Sequence, residues 1–243
     1  MYVLGISGSP VKDSNTDKLV KAIMSASNAE NQDFIKLSDV NIGPCRAHLK
    51  CVENNRCDIE DDWAHISRTL LRADALVIGS PTDYSSPSSF TKSFIERCYS
   101  LRHQRLLLKG KLCVTVAVGS ATEQLTSEYM SKVLSSEGME IVGNLTAKGT
   151  ICCMNCGHGD VCAYPAWNTY SKELTGIEYG IKEAYRQYLE VLPDNHPYEK
   201  GSARIKEHFR DVMKEANMVK KADALGRRLR TRFDERAGGL SRI

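Results

Sequence analysis

The sequence predicts an α/β protein built on a doubly wound parallel sheet of about five strands, with a cysteine-rich connector and a C-terminal helical extension. Three observations carry this. Short, almost wholly apolar segments such as "DALVIGS" and "KLCVTVAVGS" read as strands buried on both faces. Segments of helical periodicity separate them, as parallel pairing requires, because each crossover must return the chain to the same sheet edge. The alternation stops near residue 148, where closely spaced thiols and then charged helical patterns take over.

In order, "YVLGIS" (2–7) is the first strand; it breaks into "GSPVKDSNT", and helical periodicity follows over 17–27. "DFIKLS" (33–38) reads as the second strand and leads into a cysteine loop at 44–58. "DDWAHISRTLLRA" (61–73) reads as a helix with Asp61 and Asp62 in its first turn, where the helix dipole favours anions. Strand 74–80 is followed by the loop "PTDYSSPSS" and a helix over 90–102. Strands at 111–120 and 139–147 flank a helix at 124–137. Residues 1–148 thus form one α/β domain. Residues 149–243 hold the connector "GTICCMNCGHGDVCAYPAWN" and helical patterns at 178–192 and 202–233, split by "PDNHPYEKG".

A net charge of +3, from 33 Lys and Arg against 30 Asp and Glu, is too mild to indicate nucleic acid as a partner. The basic run "KKADALGRRLRTRFDER" reads as a solvated helix face, with an anion or partner patch as the alternative. No stretch approaches the roughly 18 apolar residues of a membrane helix, so no membrane partner is expected. The first residues show no charged leader ahead of a long apolar run, so no signal peptide is expected, and the expected location is cytoplasmic. There the nine cysteines would stay reduced. Cys98 and Cys113, in a helical and a strand segment, read as core fillers. The other seven cysteines fall into two clusters.

In an open α/β sheet, ligands bind at the carboxyl ends of the strands. The loop after the first strand has neither a dinucleotide fingerprint nor a P-loop. It does carry hydroxyls at Ser7, Ser9, Ser14 and Thr16 and the amide of Asn15, just before a helix. Hydroxyls and backbone N–H groups at a helix start can hold a phosphate, and an ordinary serine N-cap is the competing reading. "GSPTDYSSPSSFTKSFIERC" follows the third strand at the same edge. Together, "SGSP…SNT" and "GSPTDY…TKSFIER" resemble the flavodoxin-like, NADPH-dependent FMN reductase superfamily, and the cysteine loop between them resembles that of the iron–sulfur flavoproteins. The resemblance covers roughly residues 1 to 145. It implies a flavodoxin-like fold, with Ser7, Ser9, Ser14, Asn15 and Thr16 around an FMN phosphate. It places Pro81, Thr82, Asp83 and Tyr84 at the isoalloxazine ring, with Ser120, Ala121 and Thr122 as further ring contacts. Two departures stand out: Asp83 intervenes ahead of the aromatic Tyr84, and "VGSATEQLTSE" lacks a Gly-rich run.

Iron–sulfur flavoproteins carry four closely spaced cysteines between the second strand and the next helix; here the pattern is C-x2-H-x2-C-x5-C, over Cys45, His48, Cys51 and Cys57. Such compact spacing suits one cubane better than the paired spacing of common zinc sites. Three readings stay open: His48 ligates a 4Fe–4S cluster, a cluster forms with His48 displaced, or the loop holds zinc or no metal. Histidine in place of a thiolate tends to raise a cluster's potential. Cys152, Cys153, Cys156 and Cys162 form the second group, in which Cys153-x2-Cys156-x5-Cys162 repeats part of the first spacing. It reads as a second metal site, iron–sulfur or zinc, with redox-active or ordinary thiols as the alternative. His158 can supply its fourth ligand, or Cys152 or Cys153 can complete the first cluster in this or a neighbouring subunit.

The resemblance implies an oxidoreductase or electron-transfer flavoprotein using FMN and a cluster. Its implied donor is ferredoxin-like or NAD(P)H, and its implied acceptor is a small molecule. It also implies a homodimer or homotetramer, for which the amphipathic C-terminal helices are candidate interfaces. The alternative class is a zinc-stabilised, flavin-binding regulatory or assembly protein without turnover.

Overall fold

The computed structural model describes residues 1–150 and 210–240. The second cysteine group and the helical pattern at 178–192 lie outside the described residues. The elements run β1 (Tyr2–Ser7), α1 (Asn15–Ala26), β2 (Asn31–Lys36), α2 (Trp63–Arg72), β3 (Ala75–Asp83), β4 (Ser86–Pro87), α3 (Ser89–Cys98), β5 (Leu112–Gly119), α4 (Glu123–Ser136), β6 (Glu140–Lys148) and α5 (Ala216–Leu240).

The main strands lie in the order β2-β1-β3-β5-β6, and the short β4 pairs antiparallel with the end of β3. β1 runs parallel to both β2 (Ser7 opposite Lys36) and β3 (Ser7 opposite Gly79), and β3 runs parallel to β5. This is the flavodoxin strand order. Its direction of winding reverses between β1 and β3, which is where such folds open a ligand crevice.

Both sheet faces are covered, which explains the nearly continuous apolar strands. On one face Leu4, Ile6, Leu76 and Ile78 pack with Trp63, Ile66 and Leu70 of α2, Phe94 and Cys98 of α3, and Met130 and Leu134 of α4. On the other, Val3, Val77, Val114 and Val116 pack with Leu19, Val20, Ile23 and Met24 of α1 and with Ala222 and Leu229 of α5. Cys98 and Cys113 are fully buried, as their segments led one to expect, and burial pushes both thiols far up.

Several element boundaries differ from the periodicity: α1 starts at Asn15, β3 runs on to Asp83 through the segment read as loop, α3 ends at Cys98, and three further differences bear on the site. β2 begins two residues earlier than its apolar run, because an edge strand needs only backbone pairing with β1 and tolerates the polar "NQD". α2 begins at Trp63, so Asp61 and Asp62 lie ahead of the helix rather than in its first turn. Their carboxylates instead accept N–H groups from Gly43 (3.1 Å) and Asn41 (2.7 Å), tying down the lead-in to the cysteine loop. The third difference lies in the pattern at 202–233. Val212–Lys214 forms a single 3-10 turn before α5, pinned where the Val212 N–H donates to Asn15 Oδ1 (3.2 Å).

Compact grouping places Met1–Val118, Thr122–Ala147 and the chain from Val212 in one unit, with Gly119–Ala121 and Lys148–Asp211 in another. α5 therefore belongs with the sheet. It packs tightly on α1 at Gly226, where an added Cβ would stand 2.5 Å from Ala26 Cβ and from the Ile23 carbonyl oxygen. Part of the basic run is spent on this docking: Arg230 reaches Glu30 (2.9 Å), and Arg232 (2.5 Å) and Arg236 reach Glu140. Among the described residues no helix is long and apolar enough to cross a membrane.

Candidate functional site

The loops after β1 and β3 are knitted together at the reversal of strand order. The Gly8 N–H donates to the Gly79 carbonyl (2.9 Å), and the Ser88 hydroxyl donates to the Gly8 carbonyl (2.7 Å). Ser80 Oγ accepts from the Ser88 N–H (3.0 Å) and the Thr91 hydroxyl (2.9 Å). A Cβ on Gly8 would fall 1.8 Å from Thr91 Oγ1, so the approach depends on glycine.

Within this frame the predicted phosphate residues take distinct roles. Ser14 caps α1 by accepting the Asp17 N–H (3.1 Å), while Asp17 Oδ2 accepts the Ser14 N–H (3.1 Å), a reciprocal capping box. The buried Ser7 hydroxyl donates to Asp17 Oδ1 (2.5 Å), and Ser9 Oγ accepts the Val11 N–H (3.3 Å). Thr16 is buried, and Asn15 meets Val212 as described. The acid at the centre, Asp17, is almost wholly buried, and Lys36 Nζ neutralises it from 2.6 Å while also donating to the Val11 carbonyl (2.7 Å). An unpaired carboxylate at a helix N-terminus would repel a phosphate; the Lys36 pair removes that repulsion. Sequence reading missed Asp17 and Lys36, although S-N-T-D is a legible capping box.

The β3 loop is a tight hairpin. Thr82 and Asp83 pair with Pro87 and Ser86, and Tyr84 and Ser85 both have left-handed backbone at φ 49° and 59°. Pro81 and Thr82 are half-buried and Asp83 is exposed, with partial desolvation pushing its carboxyl up. Tyr84 is 94% exposed. Thr82 Oγ1 is buried and has no hydrogen-bond partner among the described residues. Such an orphaned hydroxyl costs free energy unless something pairs with it, so it fits a ligand seated at this loop. Thr122 is buried at the start of α4 without a side-chain cap bond, whereas Ser120 and Ala121 fall in the other compact unit.

The cysteine loop brings Cys45, Cys51 and Cys57 to one depression of about 310 Å³, counted out to open solvent; His48, Arg97 and Tyr99 also line it. Among the described residues no three Cys, His, Asp or Glu side chains converge closely enough to hold a metal ion. The donor set, soft thiols beside an imidazole, fits an iron–sulfur or a zinc centre, and such sites are rarely preformed without their metal. Ala47, Leu49 and Asn55 have left-handed backbone (φ 52°, 59° and 57°), a concentration of strain typical of ligand clamps. Cys51 is buried, and burial pushes its thiol up; Cys57 is half-buried and Cys45 exposed.

Several charged residues at this loop were missed in the sequence. His48 Nε2 lies 3.0 Å from Asp58 Oδ1, and Lys50 holds the other oxygen at 2.9 Å and keeps that carboxyl below its usual range. This leaves His48 Nδ1 uncommitted in these pairings. A carboxylate on one ring nitrogen is the arrangement that orients metal-binding histidines. Arg97, 1% exposed, grips Asp61 with two contacts (2.5 and 3.0 Å), donates to the Gly43 carbonyl (3.0 Å) and lies over the Trp63 ring at 5.5 Å. Its guanidinium adjoins Cys57 and supplies positive charge beside the thiols. From the far side, His103 Nε2 reaches Cys51 Sγ at 3.4 Å.

A family model described as NADPH-dependent FMN reductase matches residues 1–148. An iron–sulfur flavoprotein of Methanosarcina thermophila is 24% identical over 197 residues, covering 79% of this chain and 95% of that protein. An iron–sulfur flavoprotein of Methanocaldococcus jannaschii is 32% identical over 149 residues, covering 59% and 77%. Among solved structures, RosB with a bound 8-demethyl-8-formylriboflavin-5′-phosphate intermediate aligns with a TM-score of 0.57. It covers 97% of this chain and 81% of that one at 14% identity, a likeness of fold. With its strand order, its knitted β1 and β3 loops and its cysteine insertion, the chain belongs to the NADPH-dependent FMN reductase family and stands there among the iron–sulfur flavoproteins.

Proposed function

We propose that this flavin oxidoreductase binds FMN across the β1 and β3 loops and a 4Fe–4S cluster in the cysteine loop, and passes electrons from a ferredoxin-like or NAD(P)H donor to a small acceptor. The observation that carries the reading is that Cys45, Cys51 and Cys57, distributed over 13 positions, line a single depression. When bound, FMN exchanges two electrons and the cluster passes them singly. The chain's own residues do the rest. The start of α1, with Ser9, Ser14, Asn15 and Thr16 around it, receives the phosphate, and Lys36 keeps Asp17 from opposing it. Pro81, Thr82, Asp83 and Tyr84 border the ring, where the Thr82 hydroxyl finds the partner it lacks; Ser120, Ala121 and Thr122 are ring contacts only on the strength of the family resemblance. Cys45, Cys51 and Cys57 hold the cluster, and His48 takes the fourth position through Nδ1 while Asp58 orients it. Arg97 offsets the negative charge of the thiolates.

Cys152, Cys153, Cys156 and Cys162 hold a second iron–sulfur or zinc site in this reading, in a cytoplasmic homodimer or homotetramer. Anaerobic purification with flavin, iron, sulfide and zinc quantification tests it. Yellow-brown protein that bleaches with dithionite is expected, with about four irons for one cubane and about eight for two. A colourless, zinc-loaded protein would instead support a flavin-binding regulatory protein without turnover.

A further inference from the structure

We propose that His103 is a positioning residue of the iron–sulfur centre, donating its Nε2–H to the Cys51 sulfur and thereby setting the charge that this sulfur presents to iron. The inference rests on the reading above, in which Cys51 holds the cluster.

The contact is built rather than incidental. His103 lies in the segment after α3, 52 residues from Cys51, and its Nε2 stands 3.4 Å from the sulfur. The adjacent Gln104 donates from Nε2 to the carbonyl of the adjacent Val52 (2.8 Å), so two consecutive residues of one segment address two consecutive residues of the other. Asn55 closes the clasp by donating to the Ser100 carbonyl (3.4 Å). The Tyr99 ring meets the imidazole edge to face, with centroids 4.6 Å apart and planes at 87°, and so fixes the plane in which the nitrogen points. Gln104 holds left-handed backbone at φ 59°, a strained conformation for a non-glycine residue at the turn that presents His103.

His103 is placed as a donor to the sulfur rather than as a ligand of iron. In a cubane each iron takes one protein ligand, and ligands on neighbouring irons diverge. An imidazole in contact with a coordinating sulfur is therefore placed to donate to it. The separation of 3.4 Å suits an N–H···S contact, and a coordinating thiolate has no proton of its own to give, so the imidazole is the donor. An N–H aimed at a coordinating thiolate withdraws negative charge from it and favours the more negative, reduced centre, which raises the potential. Half-burial at this contact strengthens the effect by limiting competition from water.

The experiment uses the full chain purified anaerobically as wild type, His103→Phe and His103→Gln, each assayed for iron and sulfide and then titrated reductively by EPR. Equal iron in all three is expected, with a lower midpoint potential in His103→Phe and most of that shift restored in His103→Gln, whose amide N–H can reach the sulfur. In parallel, pulsed EPR of wild type labelled with ¹⁵N-histidine is expected to show a weak coupling that disappears in His103→Gln, a readout that stands even where His103→Phe does not fold. An unchanged potential in His103→Phe, or ¹⁵N spectra identical in wild type and His103→Gln, overturns the inference while leaving the cluster in place. Iron lost from His103→Gln overturns it in favour of direct ligation. Wild type without iron sinks the parent reading and this inference with it.

Discussion

Asp58 takes two cationic or imidazole partners in the cysteine loop, Lys50 on one oxygen and His48 on the other. If the carboxylate orients His48 toward iron, Asp58→Asn weakens iron retention about 10–100-fold, read as iron lost to a chelator over time. Retention equal to wild type would make the pair a surface contact only. Beneath the loop, Asp61 and Arg97 form a buried pair, with side chains 5% and 1% exposed. Removing one partner strands the other charge, so Arg97→Met is expected to destabilise the fold by about 3–5 kcal/mol in urea unfolding. Burial alone would raise the Asp61 carboxyl, but Arg97 and the N–H groups of Gly43 and Trp63 win and hold it below its ordinary value. A depressed folded value contributes stability above the unfolded value and loses it as pH falls through the folded one. Wild type should therefore lose stability below about pH 4, and Asp61→Asn should lack that component in an acid titration.

At the scale of elements, α1 is the piece that couples packing to the site. Its body presses on β3 at Gly79, where an added Cβ would stand 2.6 Å from Val20 Cγ2 and 2.7 Å from Thr16 Cγ2. Gly79→Ala must push the helix outward, at about 1–3 kcal/mol by the usual cost of overpacking. The displaced end is the one that carries Ser14, Asn15 and Thr16, so flavin retention should fall along with stability, measured by fluorescence of released FMN. A variant that loses stability but keeps its flavin would separate the helix start from the phosphate. α5 shows how an exposed charged helix is held. Its apolar Ala222 and Leu229 are buried against the sheet unit, and its arginines meet Glu30 and Glu140 at the rim. Surface pairs of that kind add specificity of docking more than stability.

For the whole molecule, ligand binding and folding are linked, because the flavin site proposed at the start of α1 and the β1 and β3 loops would exist only in the folded chain. Flavin-stripped protein should gain about 2.7 kcal/mol of stability at FMN concentrations 100 times the dissociation constant. Riboflavin, which lacks the phosphate, should give a smaller gain at equal concentration if the β1 loop contributes as proposed. Equal gains from the two would remove the phosphate role from Ser9, Ser14, Asn15 and Thr16.

Much of this architecture was legible in the chain itself. Apolar strands alternating with helical periodicity dictate a covered parallel sheet, because no other arrangement buries those strands on both faces. The serine-rich loop, the cysteine spacing and the buried roles of Cys98 and Cys113 are likewise local patterns, and the structure keeps all of them. What periodicity cannot carry is pairing across long separations. His103 meets Cys51 from 52 residues away, Arg97 meets Asp61 from 36, and Ser88 meets Gly8 from 80. Propensity and hydrophobic period act over a few residues, whereas these partners are chosen by which strand ends the sheet order brings together. The chain alone determined that a cysteine loop follows the second strand, and the tertiary structure decided which imidazole, cation and carboxylate face its sulfurs.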